Sequence, residues 1–576
     1  MGYPGAYFEG RVYFIPGARG KFKSKALKRG ASLDNNTLVL IGPASNGFDC
    51  NDSTLDYENR VMEFTSFAEA KEILGSGDLL DAIKGAFSPS KDQRFSAGPQ
   101  LVKALNISPN VRASITLDGH TVKALVPGPN GNKLRILVES SDKIIVSDGV
   151  EKISQDGLLQ PDISISYTGD GTAADLTFDG NTLAVTVTGS TDGSASFSLS
   201  ISEYPTLADL YDKINSLTGF TAGVESKPDF LSKNLDVVAS TTVIGGLSLY
   251  GTFYRQKTFL ENTGAFEVVS SSNTPFSVTA SYQYLSGGST GVWANQDYLD
   301  AIEFSKEVSG LYRNVCTDTF SIASYLSEIV NWMNSPDGSR ETFGGAGADT
   351  SSLSVQDRID QAKAINNEFM VYGVSPVKNY ESDGLTEKTF TGWYISVLHN
   401  AAKAATNPRE SLTHKDLNII SCPELLSDND KRKIIQAGGL YVDRKPNKGA
   451  WKIGFALTTY QKSDTILTQA SKVCTALAMS KDLRESLEES FLAEIVDDND
   501  IRLFVDNKLD EYENLYGYLS KNIYTGEPAY DPNYTIERDG DKVYFVFPDA
   551  KLVSPINFFF HLFNLSEVKG SSTGGN

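Results

Sequence analysis

The pattern with the most direct claim to chemistry is Gly287-Gly288-Ser289-Thr290-Gly291, which fits the G-x-S-x-G spacing of a serine nucleophile elbow. In an elbow a strand delivers the serine to a tight turn and a helix leaves at once, raising the hydroxyl toward a base. Here the preceding strand cue, Ser281-Tyr282-Gln283-Tyr284-Leu285, is weak, and Val292-Trp293-Ala294-Asn295 separates the motif from the next helical pattern. Glycine frees the backbone, so the segment reads better as a turn between domains. Bases are scarce. The histidines are His120, His399, His414 and His561, and no two are spaced to share an element, which also argues against a metal site. Cys50, Cys316, Cys422 and Cys474 are far apart with no CxxC pair, so they read as buried free thiols. Gly20-Lys21 lacks the spacing and the hydroxyl of a phosphate-binding loop. Carboxylates are so common, with 72 acidic residues, that no pair singles itself out as an acid–base couple. No catalytic residue, cofactor or metal is expected.

The elements around these residues are patterned for assembly instead. In residues 1–36, Pro4, Gly5, Gly10, Pro16, Gly17 and Gly20 forbid a helix, while Tyr7, Phe8, Val12, Tyr13, Phe14 and Ile15 supply apolar bulk. The same arm carries Arg11, Arg19, Lys21, Lys23, Lys25, Lys28 and Arg29 against Glu9 and Asp34, a net of +5. So much apolar surface at a chain end needs a partner. Residues 37–41 read as a buried strand, followed by a Gly42-Pro43 turn. Residues 67–74 and 79–87 read as helices, with Leu79, Leu80, Ile83 and Phe87 on one face.

Residues 110–290 are rich in Ser, Thr, Gly and Asp, with short alternating runs at 183–187 and 197–201. One amphipathic helix interrupts them, at Leu207, Leu210, Tyr211 and Ile214. One or two inserted β-rich modules are expected. Residues 292–462 alternate helices (298–304, 322–333, 393–405) with strands (369–372, 417–420), which predicts an α/β layer with a partly parallel sheet.

Residues 463–525 read as helical, with Leu483, Leu487, Phe491 and Ile495 in a stripe. Residues 485–513 hold eleven acids against Arg502 and Lys508, a net of −9. Such a run is either a solvated helix face or a docking surface for the basic arm. In the second case Glu488, Asp497 and Asp498 would face Arg11, Arg19 and Lys21. Strands return at 542–547, with Val543 and Phe545, and at 556–565, with Ile556, Phe558, Phe560 and Leu562. The last is apolar on both faces and must be covered or paired with another chain. Residues 569–576 form a Gly/Ser-rich tail, expected to be disordered.

The bulk properties limit the partners. A chain of 576 residues divides into roughly three or four domains. A formal charge of −20 repels nucleic-acid phosphates and anionic lipid. No apolar run approaches the ~18–20 residues of a membrane span, and no basic-then-apolar leader opens the chain. Ala6 stands where a myristoylation signal needs Ser or Thr. The expectation is a protein made and kept inside a cell unless something larger carries it out, with no nucleic acid bound and no membrane insertion.

Five segments, in order, resemble the contractile tail sheath proteins of phages. Pro4-Gly5-Ala6-Tyr7-Phe8-Glu9 resembles the family's arm motif. Val39-Leu40-Ile41-Gly42-Pro43-Ala44-Ser45-Asn46-Gly47 resembles its first core strand and turn. Phe64-Thr65-Ser66-Phe67-Ala68-Glu69-Ala70 with Leu79-Leu80-Asp81-Ala82-Ile83 resembles the segment that follows. Pro127-Gly128-Pro129-Asn130-Gly131-Asn132-Lys133-Leu134 resembles its Pro-Gly-x-x-Gly-Asn turn. Leu285-Ser286-Gly287-Gly288-Ser289-Thr290-Gly291 resembles its approach to the α/β domain, which accounts for the elbow-like hit. The family's basic stretch near the C-terminus is poorly kept, since this chain is acidic there.

The resemblance implies an α/β plus β-rich multidomain chain. It would have an arm (1–36), the first part of a discontinuous α+β inner domain (37–109), an inserted β-rich outer region (110–290), and a subtilisin-like α/β domain without a catalytic triad (291–462). A C-terminal sheath domain with a terminal strand (463–568) would combine with residues 37–105 into the inner domain. The resemblance also implies strand exchange between copies in stacked hexameric rings around a tail tube protein, with baseplate and terminator proteins at the ends. The location would be the virion tail, assembled in the host cytoplasm, and contraction would drive the tube through the host envelope for genome ejection. Other readings are a tailocin or extracellular contractile injection system sheath, a serine hydrolase using Ser289, and a β-rich adhesin, which would need secretion. A type VI secretion sheath fits less well, because it is built from two different chains.

Overall fold

A strand that is apolar on both faces needs strands at both edges and a layer over each face. Thr37–Gly42 (β1) is such a strand, and every residue of it is buried. In the computed structural model, which describes residues 6–8, 11–13, 36–333, 341–444, 449–462, 466–491, 496–521, 525–539, 542–546 and 550–554, β1 lies inside a seven-stranded sheet. The other strands are Met62–Phe64 (β2), Leu101–Asn106 (β3), Tyr312–Val315 (β4), Phe343–Gly347 (β5), Met370–Gly373 (β6) and Gly439–Leu440 (β7). Their order is β7-β6-β5-β4-β1-β3-β2. All neighbours are parallel except β2, which closes the edge antiparallel to β3.

Side chains alternate between two cores. Leu38 and Leu40 enter one with helices Phe67–Leu74 (α1) and Asp78–Ala86 (α2), and Val39 and Ile41 enter the other with Asn295–Phe304 (α3), Phe320–Met333 (α4) and Val355–Ile365 (α5). Trp393–Ala404 (α6) packs on the first face and Asp428–Gln436 (α7) on the second. Several helix starts are local in origin: Ser66, Ser354 and Ser427 each accept the N–H three residues on.

The structure departs from the sequence expectation in two places. Residues 37–109 were expected to form an inner domain with the C-terminal residues, apart from an α/β layer at 291–462. Instead β1 pairs with β4, Val39 opposite Arg313, so both segments build one sheet. The doubly apolar pattern of β1 demands that central place. The strand expected at 417–420 is absent, because its amides go to separate segments: Leu417 N–H to Trp451 O, Asn418 N–H to Pro89 O and Ile420 N–H to Lys378 O.

Residues 110–290 hold two β-rich cores, one nested within the other. The inner core draws on Ala113 through Leu158 and on Phe253 through Leu285. The outer core runs from Ile163 to Leu249. In the outer module Leu183 and Val185 of Thr182–Thr188 point inward and pair with Phe197–Ser200. Helix Leu207–Asn215 buries Leu207, Leu210 and Ile214 and leaves Tyr211 exposed.

At the C-terminal end, helix Ala470–Phe491 (α8) links two cores. Ala470, Val473, Cys474 and Leu477 pack under the central sheet, while Leu483 and Leu487 pack against Ile501, Val505 and Leu509 of Asp498–Asp510 (α9). Phe491 meets the Phe504 ring at 5.1 Å, and Ile495 lies outside the described residues. A hairpin of Thr535–Asp539 and Lys542–Val546 follows.

Candidate assembly surfaces

Ala6–Phe8 pairs antiparallel with Arg11–Tyr13, setting Tyr7 opposite Val12 and Phe8 opposite Arg11. The arm expected to offer one extended strand to a neighbour is thus folded on itself, in a sheet of two strands. Hairpins this short are marginal in water. Phe14, Ile15, Arg19 and Lys21 lie outside the described residues. Near the other end, Val543 stands opposite Arg538 and Phe545 opposite Ile536, again in a two-stranded sheet. Ile556, Phe558, Phe560 and Leu562 lie outside the described residues. Among the described residues, the arm and the C-terminal hairpin share no sheet.

The acidic run is largely used within the subunit. Glu488 takes Arg484 Nη1 at 3.1 Å, and Arg484 also grips Glu341 at 2.9 Å, tying α8 to the chain just ahead of β5. Asp506 accepts Tyr534 OH at 2.8 Å, Glu511 pairs with Lys508 at 3.4 Å, and Glu513 pairs with Lys521 at 3.5 Å. Asp497 caps α9 by accepting the Asn499 N–H at 2.8 Å. Asp497 and Asp498 are exposed at the start of α9, where the free amides favour negative charge. Toward the other end of α9, buried Asp482 receives Tyr512 OH at 2.8 Å and Lys508 Nζ at 3.3 Å. Burial, then the Asp482 charge, pushes the Tyr512 hydroxyl far above the usual tyrosine range.

The structure also brings together residues that no single motif marked. Four asparagines staple the inserted modules to the central sheet. Asn106, at the end of β3, accepts the Ala44 N–H at 2.9 Å. Asn46 accepts the Asn130 N–H at 3.1 Å, and Gly47 N–H reaches Pro127 O at 3.0 Å. Asn110 donates to Ala44 O and Gly47 O at 3.2 and 3.1 Å, and it accepts the Gly291 N–H at 3.1 Å. Asn132 holds Gly288 from both sides, donating to its carbonyl at 2.7 Å and accepting its N–H at 2.9 Å. The segments 39–47, 127–134 and 285–291 therefore meet at one place. A short amide side chain can donate and accept at once, which suits it to crossing loops.

That geometry removes the elbow. Ser289 is exposed in extended chain, bridged through its backbone to Val111, and the helix after it starts only at Asn295. His120 and His399 are buried elsewhere, His120 between Ser270 and Thr274 and His399 beside Asn400. The four cysteines are buried, free thiols. Among the described residues no group of three or more His, Cys, Asp or Glu could hold a metal ion, and no helix is long and apolar enough to cross a membrane.

Against known proteins, no family model matches the chain. It is 24% identical over 524 residues to the tail sheath protein of Bacillus phage SP01, covering 85% of this chain and 86% of that protein. It is 23% identical over 526 residues to the tail sheath candidate of Enterococcus phage phiEF24C, covering 83% and 86%. Among solved structures, the sheath tail protein Lin1278 from Listeria innocua shares the fold, with a TM-score of 0.52 and 12% identity over 89% of this chain and 94% of that one. The resemblance read from motif order is borne out: the chain is similar, over most of its length, to phage tail sheath proteins. The mixed α/β, multi-sheet architecture is that of sheath tail proteins.

Proposed function

We propose that the chain is the structural subunit of a contractile phage tail sheath. The observation that carries this is similarity to phage tail sheath proteins across more than four-fifths of the chain. The subunit polymerises around a tail tube as stacked hexameric rings and shortens to drive the tube through the host envelope. Its partners are its own copies, the tube protein, and the baseplate and terminator proteins. It resides in the virion tail after assembly in the host cytoplasm.

The central layer is a subtilisin-like α/β domain without a catalytic triad. Its parallel sheet, covered on both faces, supports that reading, as does the position of Ser289 on an extended linker. The serine hydrolase alternative has no geometry to stand on, and the protein acts without catalysis. The nested β modules at 110–290 face outward, and the C-terminal domain at 463–568 faces the tube.

Copies are knitted by strand exchange. The arm hairpin opens, and Tyr7, Phe8, Val12, Tyr13, Phe14 and Ile15 add to a neighbour beside Val543, Phe545 and the apolar residues of 556–565. Burying a dozen apolar side chains there is worth on the order of ten kcal/mol before ordering costs. The small size of the hairpin supports this, because little is lost on opening it. Negative-stain microscopy of the purified protein is expected to show striated tubes, and deletion of residues 1–20 to leave soluble monomers. Tubes formed by the deleted chain would refute the arm mechanism. Absence of tubes from the full chain under all assembly conditions would count against the sheath reading itself.

A further inference from the structure

The outer β module rests on the inner one through two chain crossings, one helix end and Asn273, which bonds to the backbone of Lys233, Leu235 and Val237. Strand Pro161–Tyr167 leads into the outer module and Leu247–Tyr250 leads out. They pair antiparallel, and the register slips between Pro161 and Ile163. Asp162 falls in that slip and is fully buried. Its Oδ2 accepts the Gly251 N–H at 2.6 Å and its Oδ1 accepts Arg255 Nη2 at 2.5 Å. Asp236, also buried, accepts the Thr252 N–H at 2.9 Å and the Phe253 N–H at 2.8 Å, one on each oxygen. These amides open helix Thr252–Asn262, which belongs to the inner module: Phe253 and Leu260 lie in its core and Phe253 stacks on His120. Both carboxylates therefore come from one module and sit on a helix end of the other.

Two forces act on Asp236 in opposite directions. The amides at a helix start favour the ionised carboxylate. Burial opposes it, and a second carboxylate nearby opposes it further. Burial wins, with the Asp162 charge adding to it, and holds Asp236 up at about 6. The other charged groups around the seat are few. Arg255 pairs with Asp162 and lies 5.5 Å over the Phe230 ring. The neighbouring loop carries Glu225, Lys227, Asp229 and Lys233. Segment 270–274 brings only hydroxyls and Asn273, whose amide donates to Lys233 O and Leu235 O. His120 lies beyond Phe253 with both ring nitrogens bonded, to Ser270 Oγ and Thr274 O.

We propose that this junction is a proton-set clasp, in which Asp236 takes up a proton in its seat and the outer module is held more tightly on the inner one as the medium acidifies. If the module swings away, Asp236 meets water and returns to the ordinary carboxylate range. The closed state then binds more protons than the open one between the two values. Closure is favoured as pH falls through about 6, and it is weakest at neutral and alkaline pH.

The test is hydrogen exchange by mass spectrometry on the full chain, following the amides of residues 251–256 with the intrinsic pH dependence removed. Protection is expected to rise about tenfold between pH 7.5 and 5, given the seat at about 6 against an ordinary carboxylate. Asp236→Asn keeps one acceptor, turns the other into an amide donor and cannot titrate, so its protection should be lower overall and should not change with pH. Arg255→Gln leaves Asp162 uncompensated and should move the midpoint upward, which a merely structural role for Arg255 would not do. Protection that falls on acidification, or a pH response that survives in Asp236→Asn, would overturn the clasp. If Asp236→Asn does not fold, an unmoved midpoint in Arg255→Gln overturns it alone.

Discussion

His399 shows how one buried side chain sets a response of the whole chain to acid. It sits on α6 with no exposed surface, its Nδ1 against Asn400 Oδ1 at 2.9 Å and its Nε2 without a hydrogen-bond partner. Burial, helped by the Lys403 charge, pushes it down to about 4. An unfolded histidine takes up its proton near 6.5. Between those values the unfolded chain binds a proton that the folded chain refuses, so stability rises with pH there and is lost as pH falls from 6.5 toward 4. The contribution is about 3 kcal/mol. His399→Leu should give a shallower fall in the urea midpoint over that window, and an unchanged slope would show that other groups carry the acid response. The sign is opposite to that of Asp236, because burial disfavours the charged form of both a base and an acid.

At the scale of elements, the parallel sheet depends on glycines that no propensity argument would place in a strand. A Cβ on Gly347 would lie 1.9 Å from the Trp393 nitrogen and 2.0 Å from the Gly392 carbonyl carbon. The start of α6 is pressed that closely onto β5, with Gly392 N–H on Ala348 O and Ser396 Oγ on Ala346 O. Gly347→Ala must therefore push α6 off the sheet. The expected cost is about 3 kcal/mol or more, read from the urea midpoint, and a variant as stable as the parent would mean that the helix can shift freely. This explains what could and could not be read from sequence. Helices 79–87 and 393–405, and the strand at 183–187, carry their own period and were legible. Phe-Gly-Gly-Ala-Gly at 343–347 carries none, since glycine has little strand preference, and its role is steric. The pairing of β1 with β4 spans more than 270 residues of chain, and no local pattern encodes it. Of the candidate surfaces, the apolar basic arm and the acidic run were legible as composition. Which acids are already engaged, as Glu488 is by Arg484, depends on where distant chain lands.

For the whole molecule, the charge balance poses a question whose answer has a sign. Subunits of −20 repel one another, and salt relieves that repulsion and speeds assembly. An arm of +5 docking on an acidic helix pair attracts, and salt weakens that. Both effects fade once the Debye length falls below ~8 Å, so the informative range lies below physiological salt. Asp497 and Asp498 are taken as the arm's contacts because both are exposed and adjacent at the head of α9. Contact at a helix start also pits an arginine or lysine against the positive helix end, so the attraction is net favourable only if the carboxylates outweigh the dipole. If the arm docks there, tube growth followed by light scattering should slow as salt rises in the parent chain. Asp497→Asn with Asp498→Asn should reverse that trend, leaving only relief of repulsion. A growth rate that quickens with salt in the parent, or a double variant with the parent's salt dependence, would mean that the arm is held by its aromatic residues alone.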